Sequence, residues 1–528
     1  MSTPVLLVAS EALPLAKTGG LGDMLSAFAP ALQAAGAAPT ILMPAYPGAV
    51  ARARQVSEVC RIDNLPGGDA VLLRARMPDT GMPVLLLKMD ALYDRPSLYQ
   101  APDGSEWADN AIRFGALAAA AARIAQGLPG VERPHVVHAH DWHAGLTPLY
   151  MKMYGVSDIK CVFTIHNLAF QGNYPMAFAE ALGLPAWALD SDPNGDGIEF
   201  YGQISFMKAA IRYADAVTTV SQTYASEILT PRFGHLMEGV LQREASKLSG
   251  IINGIDTEVW DPSSDALIPR TYSHAEMRGK HTCKRGLQRL FGLPMDPFAP
   301  IIALGSRLTW QKMADLAAGT LHRLLETYPR LQVVVLGQGE RDAEAAMIHL
   351  ARTYPNRVAV HIGYDEKRAH MLHAGADILL HGSRFEPCGL TPMYAMRYGT
   401  VPVASRVGGL ADSIRDDGFD PVIAGHDMPQ DLRASGFLFE GESVDAMSAA
   451  AERAIEAYMR PTVWRALQRN AMASDFSWDG PVARYVALYA SLSERTIAEP
   501  RLVRVAPLGR SRRNAANDRK SSDVPALA

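Results

Sequence analysis

Short continuous apolar runs recur along the chain, each followed by a helix-period pattern. Val5–Ala9 is the first such run, the mark of a central parallel strand. A loop, Lys17-Thr-Gly-Gly-Leu-Gly-Asp23, comes next, then a helical pattern to Ala35 that Gly36 ends. Thr40–Met43 predicts the second strand, VLLLK at 84–88 another, and the alternation continues with a helix near 108–126, HVVHAH at 135–140 and CVFTIH at 161–166. After a long irregular stretch come a helix near 204–213 and the run AVTTVS at 216–221. Strand–helix alternation of this kind predicts a doubly wound parallel sheet.

Around Thr257–Ser273 the pattern lapses into DPSSDALIPRTYS, read as an interdomain hinge. It then restarts with PIIALGS at 300–306, a helix near 313–326, LQVVVLG at 331–337, VAVHIG at 358–363, DILLHGS and VPVAS. The expected fold class is therefore α/β with two Rossmann-like doubly wound domains facing a deep cleft. The first spans 1–258, the hinge 259–273 and the second 274–475. A helical tail follows over roughly 444–493. From about Pro500 the chain is expected to be disordered. That tail carries seven Lys/Arg against two Asp, so of the net charge of −4 the rest of the chain holds about −9.

Composition narrows the class. At 528 residues, 48% hydrophobic and 20% charged, the chain is long enough for two or three domains and reads as soluble and globular. No global charge points to nucleic acid. Cys60, Cys161, Cys283 and Cys388 form no CxxC pair, which speaks against a zinc site or disulfide framework and for a reducing compartment. The N-terminus, with no Lys or Arg before Lys17, does not read as a signal peptide, and no apolar run reaches the ~18 residues of a membrane span. The expected location is cytoplasmic.

The candidate chemistry falls at strand ends, where two-domain α/β proteins bind ligands. In HGSRFEPCGLTPMYAMRYGTVPV, 381–403, the lone carboxylate Glu386 sits in a tight turn, with Thr391 as the expected N-cap and Pro392 at the first helical position. Free N–H groups there favour an anion such as a phosphate. Lys17 among glycines favours a second anion site. That loop is not a dinucleotide fingerprint, because Leu25 stands at the third glycine, nor an NTPase phosphate loop. Arg307 and Lys312, in GSRLTWQK, could clamp a diphosphate, or could be two solvated cations. Thr164-Ile-His166-Asn167 ends a strand; sugar hydroxyl recognition rivals a structural histidine. His138-Ala-His140-Asp141-Trp142-His143 has the wrong order for a metallohydrolase, so polar lining of the cleft is preferred to metal binding. Asp190-Ser-Asp192-Pro-Asn194-Gly195 begins like a calcium loop, but Tyr201 stands at position twelve, and an ordinary polar loop is preferred.

Assembled, these stretches resemble the glycogen/starch synthase family, the ADP-glucose-dependent bacterial glycogen synthases and their plant relatives. KTGGLGD, LYDRPSLYQ, WADNAIRF, HAHDWHAGL, TIHNLAFQG, EFYGQISFMKAAI, TTVSQTYA, INGID, SRLTWQK, SRFEPCGLTPMYAMRYGTVP, GGLADSI and GFLFE occur in the family's order over about 1–495. The resemblance implies the GT-B arrangement, with the first domain on the acceptor side, the second binding the nucleotide sugar and a C-terminal helix, 478–493, crossing back onto the first domain. It implies transfer of glucose from ADP-glucose to the non-reducing end of an α-1,4-glucan, with retention. Its partners would be ADP-glucose and glycogen, with no cofactor and no metal. Carried over by position, Lys17 would lie by the phosphates and glucosyl group, with Gly19 and Gly20 supplying backbone contacts. His166, beside Asn167, would hold a glucosyl hydroxyl. Asp141 would line the cleft, and Arg307 and Lys312 would bind the diphosphate. Glu386 would face the glucosyl ring. In the EPCGL turn that continues through Cys388 and Gly389, the N–H groups of Leu390 and Thr391 would meet the distal phosphate. Tyr364 would lie beside the adenine. Met313 departs from the family's usual glycine after QK, and Pro392 from its usual glutamine. The rivals are a related GT-B transferase using UDP-glucose or a small acceptor, a nucleotide-linked dehydrogenase, and a non-catalytic glucan-binding protein.

Overall fold

A computed structural model describes residues 3–192, 195–418 and 433–498. The basic tail and part of the calcium-like loop lie outside them. Two sheets organise the chain. The first contains β1 (Thr3–Val8), β2 (Ala37–Pro44), β3 (Arg54–Leu65), β4 (Gly68–Arg76), β5 (Pro83–Lys88), β6 (Val136–His140) and β7 (Lys160–Ile165). A small antiparallel sheet follows: β8 (Asn173–Pro175), β9 (Glu199–Phe200) and β10 (Gln203–Ser205). Strands β11 (Ala216–Thr219) and β12 (Leu248–Gly250) complete the first sheet in the order β12-β11-β7-β6-β1-β2-β5-β4-β3. The second sheet holds β13 (Ile301–Gly305), β14 (Gln332–Gly337), β15 (Val358–Ile362), β16 (Ile378–His381), β17 (Val401–Ser405) and β18 (Phe437–Phe439), in the order β15-β14-β13-β16-β17-β18.

Two Rossmann-like α/β domains thus stand where the apolar runs place them. Val5–Val8 is buried because β1 is covered on both faces and paired in parallel with β2 and β6. One departure is that the first sheet is mixed. Arg54–Leu65 and Gly68–Arg76 form a long antiparallel hairpin at its edge, with three register irregularities, and most of the outer strand is exposed. Seven of its twelve residues are polar, which is what an edge strand tolerates and what hides it from a search for apolar runs.

The helix Asp479–Ala498 leaves the second sheet and packs on the first. Val482, Tyr485, Tyr489 and Leu492 join the first core, Tyr489 Oη lies 2.7 Å from His138 Nδ1, and Arg484 donates to the Gly250 carbonyl at 2.7 Å. Gly254 backs onto this return: a Cβ there would meet the Ser477 carbonyl and the Trp478 ring at 2.8 Å. The N–H of Ile255 donates to the Phe476 carbonyl at 2.8 Å.

The segment Thr257–Ser273 is well anchored. The Trp260 ring is stacked between His370 and Tyr394, each at 4.1 Å, and Asp265 accepts from the Tyr398 hydroxyl at 2.7 Å and lies 2.8 Å from His370 Nδ1. Burial works against a charged His370, but the carboxylates of Asp265 and Glu366 overcome it and push the imidazole up to about 9. A raised folded-state value means that the pair's stabilisation is complete below the ordinary value of 6.5 and is lost as pH rises through about 9. Thermal unfolding should therefore show a larger drop in Tm between pH 7 and pH 10 for the wild type than for His370→Gln. The expected difference is roughly 2–4 °C per kcal/mol of the pair. Parallel curves for the two proteins would count against a charged His370.

Candidate active site

Strand β16 ends at His381, and the chain turns through Gly382–Cys388 before the helix Leu390–Arg397. Glu386 is 7% exposed and its Oε2 collects three partners: the Lys312 ammonium in a short ion pair, Ser383 Oγ at 2.9 Å and His381 Nε2 at 3.2 Å. Burial alone would raise this carboxyl. The Lys312 charge and the His381 and Lys312 hydrogen bonds overcome it and hold Glu386 well below the usual carboxylate range.

The helix begins two residues earlier than expected, and Thr391 is not its N-cap. Gly389 is, with φ +86. A side chain there would be strained and would meet Leu410 Cδ2 at 2.6 Å. Leu390 and Thr391 become the first two helical residues, whose N–H groups have no partner within the helix, and Pro392 becomes the third, where a missing N–H costs nothing. Beneath this turn runs Val407-Gly408-Gly409. The Gly409 N–H donates to the Glu386 carbonyl at 3.0 Å, and a Cβ on Gly408 or Gly409 would come within 2.0 Å of the Glu386 or Cys388 carbonyl. Burial pushes the Cys388 thiol up to about 12, so it is an inert packing group.

The loop after β13 lies alongside. Gln311 donates from Nε2 to the Phe385 carbonyl at 3.2 Å and accepts at its own carbonyl from the Arg384 N–H at 2.9 Å. Arg384 forks onto Asp315 at 2.8 and 2.9 Å, reaches Glu442 at 3.0 Å, bonds the Trp310 carbonyl and lies against the Trp310 ring. This clamp delivers Lys312 to Glu386. Arg307, by contrast, is exposed and donates to Gln311 Oε1 at 3.2 Å. Met313 adopts φ +50, ψ +33, the left-handed region. That conformation is the physical reason a glycine suits this position. Here a methionine bears the strain while its side chain, 1% exposed, fills the space beside Gly382.

The first domain contributes the opposite wall. Gly19 is the N-cap of the helix Gly20–Ala34, and a Cβ on Gly20 would lie 3.5 Å from Leu390 Cδ1 of the second domain. Lys17 Nζ is 2.6 Å from Asp23 Oδ1 and stands 5.6 Å from the centre of the Tyr364 ring. Tyr364 is exposed and its hydroxyl donates to Glu366 at 2.7 Å. Deeper in, His166 Nε2 lies 3.1 Å from His140 Nδ1, and burial brings His166 down to about 3, so it acts as a neutral imidazole. Asp141, at φ +60 where β6 ends, is raised to about 8 by burial despite the backbone amides around it, and its Oδ1 has no hydrogen-bond partner among the described residues. Asn167 Oδ1 accepts from the Ala169 N–H at 3.1 Å. The field at the buried Tyr224 hydroxyl includes both Asp141 and Glu386, one from each domain.

Residues 4–243 match the starch synthase catalytic domain, and residues 295–470 match glycosyl transferases group 1. A glycogen synthase of Ralstonia nicotianae is 53% identical over 504 residues, covering 95% of this chain and 90% of that protein. The chain belongs to the glycogen synthase family. A glycogen synthase of Bordetella bronchiseptica is 51% identical over 496 residues, covering 92% and 95% of the two chains. The catalytic domain of starch synthase IV from Arabidopsis thaliana, bound to ADP and acarbose, superposes with a TM-score of 0.83 at 28% identity, over 94% of this chain and 100% of that one. The two-domain architecture is accordingly that of the GT-B glycosyltransferases.

Among the site residues read from sequence, this glycogen synthase family member groups Lys312 with Glu386. It groups Lys17 and Gly20 with Tyr364 and Leu390 across the domains, and His166 and Asn167 with Asp141. Arg307 makes no contact with Glu386. Two further residues complete the Glu386 cluster, His381 and Ser383, and a third, Arg384, braces the Lys312 loop beside it. They lie within the stretch singled out in sequence, but only the fold shows which of them turn inward. The contacts between domains had no sequence signal. Asp412 accepts from the N–H groups of Gln222 and Thr223 at 2.7 and 3.0 Å, and Glu227 accepts from the Gly408 N–H at 2.9 Å. The HAHDWH histidines are packed among aromatic rings, and among the described residues no group of three or more His, Cys, Asp or Glu is placed to hold a metal ion. Nor, among them, is any helix long and apolar enough to cross a membrane.

Proposed function

We propose that the protein transfers glucose from ADP-glucose to the non-reducing end of an α-1,4-glucan with retention of configuration, in the cytoplasm and without a metal ion. The observation that carries this reading is the buried Lys312–Glu386 pair at the start of the helix Leu390–Arg397, whose Leu390 lies against Gly20 of the Lys17 loop. As the bond from the anomeric carbon to the diphosphate breaks, negative charge grows on ADP and positive charge on the glucosyl ring. Arg307, Lys312 and the N–H groups of Leu390 and Thr391 are the groups to stabilise the first charge, and Glu386 the second. Lys17, Gly19 and Gly20 would contact the phosphates and sugar from the other side. Tyr364, exposed beside Lys17, would stack on the adenine. His166 and Asn167 would hold glucosyl hydroxyls. Asp141 keeps its proton at neutral pH and could donate to a sugar oxygen. In the division of labour we propose, the domain of the first sheet, with helix 478–493, forms the acceptor side and the domain of the second sheet the nucleotide-sugar side.

Glu386 is held by three donors, a poor state for a nucleophile. We therefore favour front-face displacement: the new bond from the acceptor O4 forms on the face the diphosphate leaves, and a leaving phosphate oxygen takes the acceptor proton. The deciding experiment is incorporation of labelled glucose into glycogen from ADP-glucose, run with and without EDTA and against UDP-glucose. Incorporation that survives chelation and prefers ADP-glucose is expected. Loss with EDTA, or incorporation only from UDP-glucose, would overturn the metal-free or the donor assignment. In the same assay Arg307→Ala should cut turnover by roughly 10²-fold, as charge-stabilising donors do. Its unfolding curve should not move, since the side chain is exposed. Full activity in that variant would remove Arg307 from the diphosphate site.

A further inference from the structure

Behind the Lys17 loop lies a buried carboxylate that the site described above does not use. Glu11 is 3% exposed. Its Oε2 accepts from the Thr18 N–H at 2.6 Å and the Gly19 N–H at 3.3 Å; its Oε1 accepts from Thr18 Oγ1 at 2.8 Å and from the Tyr99 hydroxyl at 2.5 Å. These four donors are neutral, and no lysine or arginine forms an ion pair with it among the described residues. Burying a carboxylate on neutral donors alone is costly, and it persists only where several hydrogen bonds favour the charged form. Two of those bonds come from consecutive backbone amides of the loop that presents Lys17 and Gly20.

We propose that Glu11 is a positioning residue for glucosyl transfer. It ties the backbone of Thr18 and Gly19 down from the core side, so that Lys17 and the start of the helix Gly20–Ala34 face the second domain. The surroundings support the role. Tyr99, the donor to Oε1, is itself fixed by Ser10 Oγ at 2.7 Å and by stacking on His143 at 4.6 Å. At Gly22 a Cβ would lie 3.2 Å from the Ala16 carbonyl and 3.4 Å from Glu11 Oε2, so the loop closes tightly over the carboxylate. Lys17 is anchored at its far end by Asp23, and Glu11 holds the backbone next to it. Without Glu11, two consecutive N–H groups of the loop lose their acceptor and the loop loses its single geometry.

The inference rests on the transfer reading above, and the test separates the two. Glu11→Ala should lower kcat by roughly 10- to 100-fold with a smaller change in KM for the glucan, while Glu11→Gln, which keeps an oxygen for the two amides, should recover most of the loss. In a Lys17→Ala background the same Glu11→Ala change should cost about threefold or less, because the group it positions is gone. Thr18→Val, which removes one of the four donors and leaves both backbone amides in place, should give a several-fold loss in kcat. Independently of turnover, the amides of Thr18 and Gly19 should exchange with solvent at least tenfold faster in Glu11→Ala. Wild-type kcat in a folded Glu11→Ala protein, an equal loss with and without Lys17, or unchanged exchange would overturn the proposal. Absence of glucosyl transfer by the wild type would sink the transfer reading and leave the exchange result to judge the loop.

Discussion

Lys312→Ala should damage turnover and fold together, losing roughly 10²- to 10³-fold in turnover and about 3–5 kcal/mol in stability. The two losses have one cause. Lys312 neutralises Glu386 in a site where both side chains are nearly buried, 12% and 9% exposed, and removing one partner of such a pair leaves the other charge stranded. The pH dependence follows from the signs. In the wild type the folded Glu386 carboxyl lies below its ordinary value of 4.5, so its contribution is complete above that pH and is lost only as pH falls through the depressed folded value. Without Lys312, burial becomes the ruling influence and moves the carboxyl upward. The stability gap between the variant and the wild type should then narrow on acidification from pH 8 to pH 5, since the other titrating groups are common to both proteins. Urea unfolding at the two pH values measures this directly, and a constant gap between the two proteins would mean that Lys312 does not control Glu386.

Glu386→Gln should separate chemistry from binding. The amide preserves the shape and can still accept from Ser383, but it brings no negative charge to the developing positive charge on the sugar. Turnover is expected to fall by roughly 10³-fold, at the upper end for one electrostatic group. ADP, measured by calorimetry, should bind as tightly as to the wild type or tighter, because Lys312 is released from its internal partner and is free to meet the diphosphate. Lys312→Ala should weaken ADP instead. If Glu386→Gln weakens ADP while sparing turnover, the roles assigned to the two residues are exchanged.

Much of this was legible in the chain. The parallel strands are found because burial on both faces demands unbroken apolar runs such as Ile301-Ile-Ala-Leu304, and the ligand-facing loops are found because they follow those runs. The hairpin Arg54–Arg76 escaped because an edge strand carries polar residues on its open side, and the strands at 173–175, 199–200 and 203–205 are too short for any periodicity. The N-cap was misplaced at Thr391 because hydroxyl-then-proline is the stronger local signal. What decides the matter is Leu410, whose side chain crowds position 389 and admits only a glycine there. Glu386, Lys17, Arg307 and Lys312 stood out one by one. That Lys312 meets Glu386 across 74 residues, and that Asp412 meets Thr223 across 189, are facts of tertiary packing that local sequence cannot hold.

The described chain passes between the two halves twice, at Gly254–Ile255 and again at Phe476–Trp478, and the two passages are hydrogen-bonded side by side. A body attached at a single point could swivel about many axes; one attached by two adjoined strands of backbone is left mainly with the swing about the line through them, as a door is by its pins. Any chimera that exchanges one half for a relative's must therefore move residues beyond Phe476 together with the amino-terminal half, or the pin and its socket will come from different proteins.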